Sequence, residues 1–253
     1  MILDQFRLDG KVAIVTGCNR GLGKAMSLGL AEAGADIVGV YSSSAGGVAD
    51  EVASLGRKFV DAKADLRDRE NCASIVDRAV ESLGRVDILV NNAGIIRRCD
   101  ALDFNGKDWD EVMNVNLNNL FFLSQAVARN MVDNKRSGKI INIASMLSFQ
   151  GGIRVSSYTA SKSGVMGLTR ILAAEWAPLG INVNGIAPGY MATDNTAPIR
   201  ADEVRNRQIL DRIPAGRWGE PEDLKGCVVF LASKASDYIN GYTVAVDGGW
   251  LAR

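Results

Sequence analysis

Short apolar runs rich in β-branched residues alternate with longer amphipathic segments along the whole chain. The runs that read as strands are Val12–Thr16, Asp36–Tyr41, Lys58–Ala64, Val86–Val90, Lys139–Ala144, Asn182–Ala187 and Thr243–Val246. The segments that read as helices cover residues 22–34, 45–56, 68–84, 107–133, 156–178 and 221–233. Because each parallel crossover needs a helix to return the chain, this alternation predicts an α/β fold. We expect a doubly wound, parallel, seven-stranded sheet in a single domain spanning residues 1–253.

One segment breaks this regular alternation. Residues 190–217 are rich in charged side chains and contain Pro198, Pro214 and Gly216, which predicts an irregular or weakly helical insertion. Long segments of this kind inside a compact domain often cover binding sites. We therefore expect residues 190–217 to form a substrate lid.

The composition excludes several classes of function. Twenty-nine acidic and 29 basic residues cancel, so the chain lacks the charge surplus of a protein that binds nucleic acid or an anionic membrane. It has no histidine, which excludes Ser-His-Asp and Cys-His nucleophiles and imidazole bases. Its four cysteines are far apart, and it shows no C-x-x-C pair, signal peptide or membrane-length apolar run. These features predict a cytoplasmic protein that recognises a small molecule and has no metal site.

A glycine-rich loop follows the first predicted strand and opens the first predicted helix. It reads Thr16-Gly17-Cys18-Asn19-Arg20-Gly21-Leu22-Gly23. Glycine lets the backbone turn tightly beside a pyrophosphate, while the first N–H groups of the helix stabilise the negative charge. The spacing G-x-x-x-G-x-G differs from the common dinucleotide motif but serves the same purpose. The loop predicts dinucleotide binding in a Rossmann-like fold through Gly17, Asn19, Arg20, Gly21, Leu22 and Gly23.

The residues after the second and third predicted strands bear on which dinucleotide is bound. A carboxylate after the second strand prefers the free ribose hydroxyl of NAD(H), whereas hydroxyl and cationic groups admit the phosphate of NADP(H). This chain has Tyr41 and Ser42 there, with Arg20 close by in the glycine loop. The pattern slightly favours NADP(H), and NAD(H) stays open if Arg20 is only a solvated cation. After the third strand, Asp65 is a candidate for binding the adenine amino group and Leu66 for packing on the ring.

Tyr158 and Lys162 stand one helical turn apart in the fifth predicted helix. Side chains at this spacing share a face, and an ammonium beside a phenol lowers the pKa of the phenol toward neutrality. Open parallel sheets bind their ligands at the carboxyl ends of the strands. The residues predicted at those ends are Gly17, Asn91, Ser145, Pro188 and Gly189. We therefore expect one crevice that contains both the glycine loop and the Tyr158–Lys162 pair.

These motifs, in this order, resemble the short-chain dehydrogenase/reductase family over nearly the whole chain. The matching motifs are Thr16–Gly23, Asn91–Gly94, Asn116, Ser145, Tyr158-x-x-x-Lys162 and Pro188-Gly189-x-x-x-Thr193. The resemblance implies an NAD(P)-dependent oxidoreductase that interconverts a secondary alcohol and a ketone. It also implies a homotetramer, which the sequence permits.

The resemblance further implies a role for each matching residue. Tyr158 would exchange a proton with the substrate oxygen, Ser145 would hydrogen-bond that oxygen, and Lys162 would lower the pKa of the phenol and hold the nicotinamide ribose. Asn116 would hold a water that connects Lys162 to solvent. The cofactor-binding residues implied beyond the glycine loop are Asn91, Asn92, Ala93, Gly94, Tyr158, Lys162, Pro188, Gly189 and Thr193.

Three arginines near the predicted crevice bear on the substrate. Arg97 and Arg98 follow the Asn91–Gly94 motif, and Arg154 precedes Tyr158 by four residues. Guanidinium groups bind carboxylates bidentately, which favours a sugar acid or another small oxo-acid. The alternative is that these arginines are solvated or lie at subunit contacts. The predicted substrate residues are Arg97, Arg98, Met146, Gln150, Arg154 and Tyr190.

Several loop segments resemble a bacterial subgroup of the family that acts on deoxy keto sugar acids in pectin and alginate breakdown. They are Ile95–Arg98, Ser145–Arg154, Ile213–Gly219 and Val246–Arg253. The resemblance implies a substrate of the 2-dehydro-3-deoxy-D-gluconate or 2-deoxy-D-gluconate type, or reduction of a 4-deoxy-5-hexoseulose uronate. Members of that subgroup are often described as using NAD(H), which conflicts with the preference indicated by Arg20. Three alternatives stay open: a 3-oxoacyl-carrier-protein reductase, another alcohol dehydrogenase, and a catalytically silent dinucleotide sensor.

Overall fold

Seven strands form one sheet, at positions close to the apolar runs of the sequence. The computed structural model describes residues 1–253. Its strands are β1 (Val12–Thr16), β2 (Asp36–Tyr41), β3 (Phe59–Lys63), β4 (Ile88–Asn91), β5 (Gly138–Ile143), β6 (Ile181–Pro188) and β7 (Thr243–Val246). Val and Ile dominate the central strands because branched side chains pack well on a pleated sheet that is covered on both faces. All residues of β1 are buried.

The order of the strands leaves a crevice in the middle of the sheet. The order is β3-β2-β1-β4-β5-β6-β7, and every neighbouring pair is parallel. The chain runs outward from β1 to β3 and then returns to place β4 on the other side of β1. The loops that leave β1 and β4 therefore diverge, and a crevice opens beyond their carboxyl ends. The predicted doubly wound, parallel, Rossmann-like sheet in a single domain is confirmed.

Helices cover both faces of the sheet. They are α1 (Gly21–Glu32), α2 (Val48–Ser54), α3 (Asn71–Leu83), α4 (Gly106–Met113), α5 (Asn119–Asp133), α6 (Ser156–Trp176), α7 (Ala197–Ala201), α8 (Glu203–Leu210) and α9 (Lys225–Ala232). One core, which includes Met26 and Val228, lies between the sheet and α1, α2 and α9. The second core, which includes Ile75 and Leu123, lies under α3, α5 and α6. No helix combines the length and the apolar character that a membrane span requires.

The predicted helix over residues 107–133 is interrupted in the structure. A π-helical turn, Asn114–Asn118, separates α4 from α5. Asparagine side chains at this turn donate hydrogen bonds of 2.7 to 2.9 Å to main-chain carbonyls in the loops after β3 and β4. These side chains belong to Asn114, Asn116 and Asn119. A π-turn holds one residue more than an α-helical turn, so the helix bulges locally where these amides reach the loops.

Residues 190–217 contain short helical pieces, in agreement with the weakly helical character predicted for them. They form a 3-10 turn, Asp194–Thr196, followed by α7 and α8. Ile209 of α8 packs with Trp218 and Trp250 in a small apolar cluster, separate from the two cores that flank the sheet. The segment therefore packs on Met146, Trp218 and Trp250, outside the cores of the sheet.

Candidate active site

The carboxyl ends of the central strands surround a crevice of about 930 Å³. Its walls include Gly17 after β1, Asn92 after β4, Ser145 after β5, and Pro188 and Gly189 at the end of β6. Residues of the 190–217 segment close the other side. The predicted site residues that do not line this crevice are Asn91, Asn116 and Arg154. The strand order thus brings most of the predicted residues together.

The glycine loop has room only for glycine at two points. Gly17 has a φ of +65°, which side chains of L-residues disfavour. A Cβ on Gly23 would stand 2.0 Å from the carbonyl oxygen of Gly17. Helix α1 begins at Gly21 without a side-chain cap from Arg20, so the N–H groups of its first turn point toward the crevice unsatisfied. This cradle fits the pyrophosphate of a dinucleotide.

Thr16 joins the glycine loop to the loop after β4. Its hydroxyl oxygen accepts hydrogen bonds from the main-chain N–H groups of Asn92 and Ala93, each at 2.9 Å. The side-chain Nδ2 of Asn92 donates to the Thr16 carbonyl in return, also at 2.9 Å. Thr16 belongs to the sequence motif, but no role had been predicted for it. A single buried hydroxyl therefore sets the spacing between two loops that would hold the cofactor.

The side chain of Asn91 points away from the place predicted for it. Its side-chain amide donates to Ser124 Oγ and to Asn142 Oδ1, both at 2.9 Å, and the residue is 3% exposed. The prediction that Asn91 lines the cofactor crevice is wrong, because the side chain of this last strand residue turns into the layer between the sheet and the helices. The next residue, Asn92, faces the crevice instead.

The crevice beside β2 and β3 is lined by Tyr41, Ser42, Asp65 and Leu66. The Tyr41 hydroxyl donates to Asp61 Oδ1 at 2.7 Å, which raises the pKa of Tyr41 to about 12. The Arg67 guanidinium donates to both carboxylate oxygens of Asp65, at 2.6 Å to Oδ2, and lowers the pKa of that carboxyl. Asp65 is therefore an ionised acceptor, as binding an amino group would require.

Tyr158 and Lys162 both line the crevice from α6. Lys162 is 3% exposed, its ammonium donates to the Ile143 carbonyl at 2.5 Å, and burial lowers its pKa to about 8. The ammonium nitrogen lies 5.7 Å from the centre of the Tyr158 ring. Burial raises the pKa of Tyr158, while the Ser145 hydroxyl and the charge of Arg98 act in the opposite direction. The expected lowering of the phenol pKa by Lys162 stays a prediction, and Ser145 and Arg98 favour the phenolate in this geometry.

Ser145 is held by a short turn at the end of β5. Its Oγ accepts from the Leu147 N–H at 3.1 Å and so caps the 3-10 turn Met146–Ser148. Ser148 Oγ donates to the Lys162 carbonyl at 2.6 Å and accepts from the Ser145 N–H at 3.3 Å. Ser148 was not singled out from the sequence, since only the folded turn brings it against α6. It fixes Ser145 relative to Lys162.

Asn116 acts as a clamp behind the crevice. It is fully buried, its Oδ1 accepts from the Ile95 N–H at 2.9 Å, and its Nδ2 donates to Ile95 O at 2.9 Å and to Ser161 Oγ at 3.1 Å. A Cβ on Gly94 would lie 3.3 Å from Asn116 Oδ1 and 3.8 Å from Lys162 Nζ, so these groups meet closely. Both N–H groups of the Asn116 amide are used in this clamp. A water held beside Lys162 stays a prediction, and it would not receive a hydrogen bond from this amide.

The structure separates the three predicted substrate arginines. Arg97 forms an ion pair of 2.7 Å with Glu111, and Arg154 forms one of 3.3 Å with Asp100 outside the crevice. The expectation that Arg154 faces the substrate is therefore wrong, and the charge of Arg97 is already neutralised. Arg98 lines the crevice, and its one hydrogen bond reaches the Asn195 carbonyl at 3.5 Å.

Aromatic and polar residues complete the far wall. Tyr190 packs edge-on against Trp218 and Trp250, with ring centres 5.3 and 4.8 Å away. Met146 and Gln150 line the crevice beside them, as predicted from their loop. Trp250 also lines it but had not been singled out from the sequence.

Two further arginines were missed. Arg205 and Arg212 line the crevice from α8 and the turn after it, and neither forms an ion pair. Their spacing, with Ile209 between them, is that of one helix face. That spacing was the available signal, but the segment was predicted only as an irregular or weakly helical insertion, without a defined helix face.

Comparisons with known proteins agree over the full chain. A profile described as short chain dehydrogenase matches residues 11–204. The 2-dehydro-3-deoxy-D-gluconate 5-dehydrogenase of Escherichia coli (strain K12) is 64% identical over 253 residues, which is 100% of both chains. A crystal structure from Agrobacterium tumefaciens with bound NADP, provisionally named 2-deoxy-D-gluconate 3-dehydrogenase, matches with a TM-score of 0.94 and 54% identity, covering 98% of this chain and 99% of that one.

A third match extends the comparison to another bound small molecule. The gluconate 5-dehydrogenase of Burkholderia cenocepacia J2315, in complex with NADP and tartrate, matches with a TM-score of 0.95 and 41% identity over 100% of both chains. The profile spans the glycine loop, Ser145, Tyr158 and Lys162, and the relatives cover residues 190–217 and the end of the chain as well. The chain therefore belongs to the short-chain dehydrogenase family.

Proposed function

We propose that this short-chain dehydrogenase interconverts a secondary alcohol and a ketone on a deoxy keto sugar acid, of the 2-dehydro-3-deoxy-D-gluconate type. The observation that carries the proposal is that the Tyr158–Lys162 pair shares its crevice with three arginines that have no carboxylate partner, Arg98, Arg205 and Arg212. Unpaired guanidinium groups in a crevice favour an anionic substrate. The name of the E. coli relative, at 64% identity over the whole chain, supports this substrate class.

The residues of the crevice divide the chemistry between them. When bound, the nicotinamide donates or accepts the hydride. Tyr158 exchanges a proton with the substrate oxygen, and the Ser145 hydroxyl donates a hydrogen bond to the same oxygen. The charge of Arg98 and the Ser145 hydroxyl favour the phenolate form of Tyr158. Lys162 keeps one N–H on the Ile143 carbonyl and has others for the ribose hydroxyls of the cofactor.

We propose NADP(H) as the preferred cofactor. Arg20 is exposed at the mouth of the crevice, where its only charged partner, Asp194, stands 3.7 Å away, and Ser42 lines the same end. A weak surface pair of this kind leaves Arg20 available for a ribose phosphate. We expect kcat/KM to be about tenfold higher with NADPH than with NADH, and this advantage to disappear in Arg20→Ala. A large NADH advantage that Arg20→Ala leaves unchanged would sink this proposal.

A substrate panel tests the proposed reaction. The wild-type protein is assayed with 2-dehydro-3-deoxy-D-gluconate, 2-deoxy-D-gluconate, 4-deoxy-5-hexoseulose uronate, an acyl-thioester ketone and simple ketones, with both cofactors in parallel. We expect the highest kcat/KM on a sugar acid. Preference for the acyl ketone would indicate a 3-oxoacyl-carrier-protein reductase, and no turnover at all would indicate a dinucleotide sensor.

We also propose that residues 190–217 form a substrate lid. The Arg20–Asp194 contact joins the glycine loop to the start of this segment. Closure would reduce hydrogen exchange in α7 and α8 when NADPH and the sugar acid are added together. Unchanged exchange rates would contradict a lid.

We further propose that the protein forms a homotetramer in the cytoplasm. Val132 and Leu179, which flank a groove between α5 and α6, are 40% and 49% exposed, and large apolar side chains in this position suit a subunit contact. All four cysteines are unpaired, which suits a reducing compartment. Light scattering of the purified protein tests the assembly, and a monomeric mass would contradict it.

A further inference from the structure

One face of α8 and of the turn after it points into the crevice. The residues on this face are Arg205, Gln208, Ile209 and Arg212. Arg205 makes a local contact, since its Nη1 donates to Gln208 Oε1 on the same helix at 3.3 Å. Arg212 differs from Arg205 because it contacts side chains from two distant parts of the chain.

Arg212 lies on a platform made by Trp250 and Gln150. Its guanidinium carbon is 3.9 Å from the centre of the Trp250 ring, and its Nη2 donates to Gln150 Oε1 at 3.4 Å. Trp250 is 5% exposed, and its indole N–H donates to the same oxygen of Gln150 at 3.2 Å. Stacking occupies one face of the guanidinium plane and leaves most of its N–H edge available. The orientation of the charge is therefore set before a ligand arrives.

The main chain at Arg212 is also held in place. Arg253 donates from Nε to the Arg212 carbonyl at 3.1 Å and from Nη2 to the Asp211 carbonyl at 2.6 Å. Ordering a binding group in advance lowers the entropy cost of binding. Both the backbone and the side chain of Arg212 are therefore fixed by residues outside α8.

We propose that Arg212 determines substrate specificity by binding the carboxylate of the sugar acid, and that Gln150, Trp250 and Arg253 position it. This inference rests on the proposed function. The N–H edge of a guanidinium matches the two oxygens of a carboxylate, whereas a neutral sugar would offer it only hydroxyl groups. Arg212 forms no ion pair, so no carboxylate of the protein competes for this edge.

The position of the reacting carbon also favours Arg212 over Arg98. The reacting C5 named for the E. coli relative lies several bonds from the carboxylate of its substrate. A cation that holds the carboxylate must therefore stand away from the phenol that exchanges the proton. The charge of Arg98 lowers the pKa of Tyr158 and so acts at the reacting end, while Arg212 enters the crevice from the turn after α8.

The test compares one acid with its neutral counterpart. Wild type, Arg212→Ala, Arg212→Lys and Arg207→Ala are assayed with 2-dehydro-3-deoxy-D-gluconate and with its carboxamide. Arg207 is the matched control, because it is exposed on α8 and does not line the crevice. We expect Arg212→Ala to lower kcat/KM for the acid by about 50-fold, mainly through KM, and to change the value for the carboxamide by less than about threefold. Arg212→Lys should recover part of the loss, and Arg207→Ala should match wild type.

Each outcome either supports or overturns the role proposed for Arg212. Equal losses for the acid and the carboxamide in Arg212→Ala would show a merely structural role and would overturn it, as would wild-type kinetics with the acid. A lower melting temperature with the selective loss retained for the acid would still support it. If wild type turns over neither compound but reduces another ketone, the proposed function fails, and the inference fails with it for that separate reason.

Discussion

The two walls of the crevice are built in different ways. The sheet wall, formed by the ends of β1, β4 and β5 and by α6, holds its polar groups through buried hydrogen bonds, and Ser145 and Lys162 are 7% and 3% exposed. The lid wall, formed by α8 and Trp250, presents the exposed Arg205 and Arg212 over a small cluster of its own. A buried, cross-linked wall keeps reacting groups in place, whereas an exposed wall can change without disturbing the sheet. We therefore expect proton transfer and substrate choice to depend on separate parts of the fold.

The largest effect is expected from the sheet wall, at Tyr158. Tyr158→Phe removes the hydroxyl that exchanges the proton, so we expect kcat to fall by about 1000-fold. The ring stays in place, so the Kd for NADPH should change by less than about threefold. Cofactor absorbance measures turnover, and protein fluorescence measures binding. Turnover near the wild-type rate would show that another group supplies the proton.

The next effect concerns the cofactor cradle on the same wall. Gly23→Ala would place a methyl group 2.0 Å from the Gly17 carbonyl and 2.5 Å from Asn92 Nδ2, so the loop must shift. We expect the Kd for NADPH to rise by about 100-fold, since the first N–H groups of α1 would no longer point at the pyrophosphate. Gly226→Ala is the control, because nothing lies within 4 Å of a Cβ at that exposed position of α9. Isothermal titration measures the Kd for NADPH in both variants. Normal NADPH binding by Gly23→Ala would contradict the close approach of the glycine loop to the cofactor.

The next prediction concerns the cost in folding stability of burying the Lys162 ammonium in the sheet wall. Folding lowers the pKa of this lysine from 10.5 to about 8 through burial. Below pH 8 the group is charged in both states, and the cost of burying it, about 3 kcal/mol, is fully present. Between pH 8 and 10.5 the unfolded chain binds more protons than the folded one, so the stability of the wild type rises with pH across this window.

The comparison with Lys162→Met isolates that contribution. The variant loses turnover, and it no longer carries the burial cost of about 3 kcal/mol. It also loses the hydrogen bond to Ile143, which contributes about 1 kcal/mol, so we expect it to be more stable than wild type at pH 7 by about 2 kcal/mol. The difference should shrink toward pH 10.5. Urea unfolding of both proteins at several pH values measures it, and a difference that does not depend on pH would contradict the assigned pKa.

The smallest effect on overall stability is expected from the lid wall. Ile209 and Ile141 are 2% and 0% exposed, but Ile209 belongs to the lid cluster and Ile141 to a core of the sheet. We expect Ile141→Ala to lower the free energy of unfolding by about 3 kcal/mol, and Ile209→Ala to lower it by less than about 1 kcal/mol. Ile209→Ala should instead speed hydrogen exchange in α8. Equal losses of global stability would show that the two walls unfold as one unit.

The sequence predicted the sheet wall well because its signals are local. The bounds of β1 and β2 were correct at Val12–Thr16 and Asp36–Tyr41, since runs of branched apolar residues determine them. The meeting of the strand ends then follows from parallel topology. The orientation of Asn91 could not be predicted, because it depends on which side the final strand residue faces, and a shift of one residue reverses that side.

The lid wall was predicted poorly because its contacts join distant residues. Whether an arginine faces a substrate or a carboxylate of the protein depends on loop geometry, so the ion pairs of Arg97 and Arg154 could not be predicted. Arg212 was missed because the groups that hold it, Gln150 and Trp250, lie far away in the chain. No periodic pattern records contacts of that kind.

The π-turn Asn114–Asn118 has a consequence for the length of the chain at this place. Deleting one residue there would leave an α-helical turn and keep the later residues of α5 near their present orientation, because the bulge absorbs the additional residue. Leu123 and Val127 would therefore stay in the core, while the bulge that carries Asn116 to Ile95 would be lost. The additional residue thus serves the site asparagine, and the core face of α5 does not depend on it. An enzyme shortened by that residue would keep its core and lose the contact that holds the loop after β4.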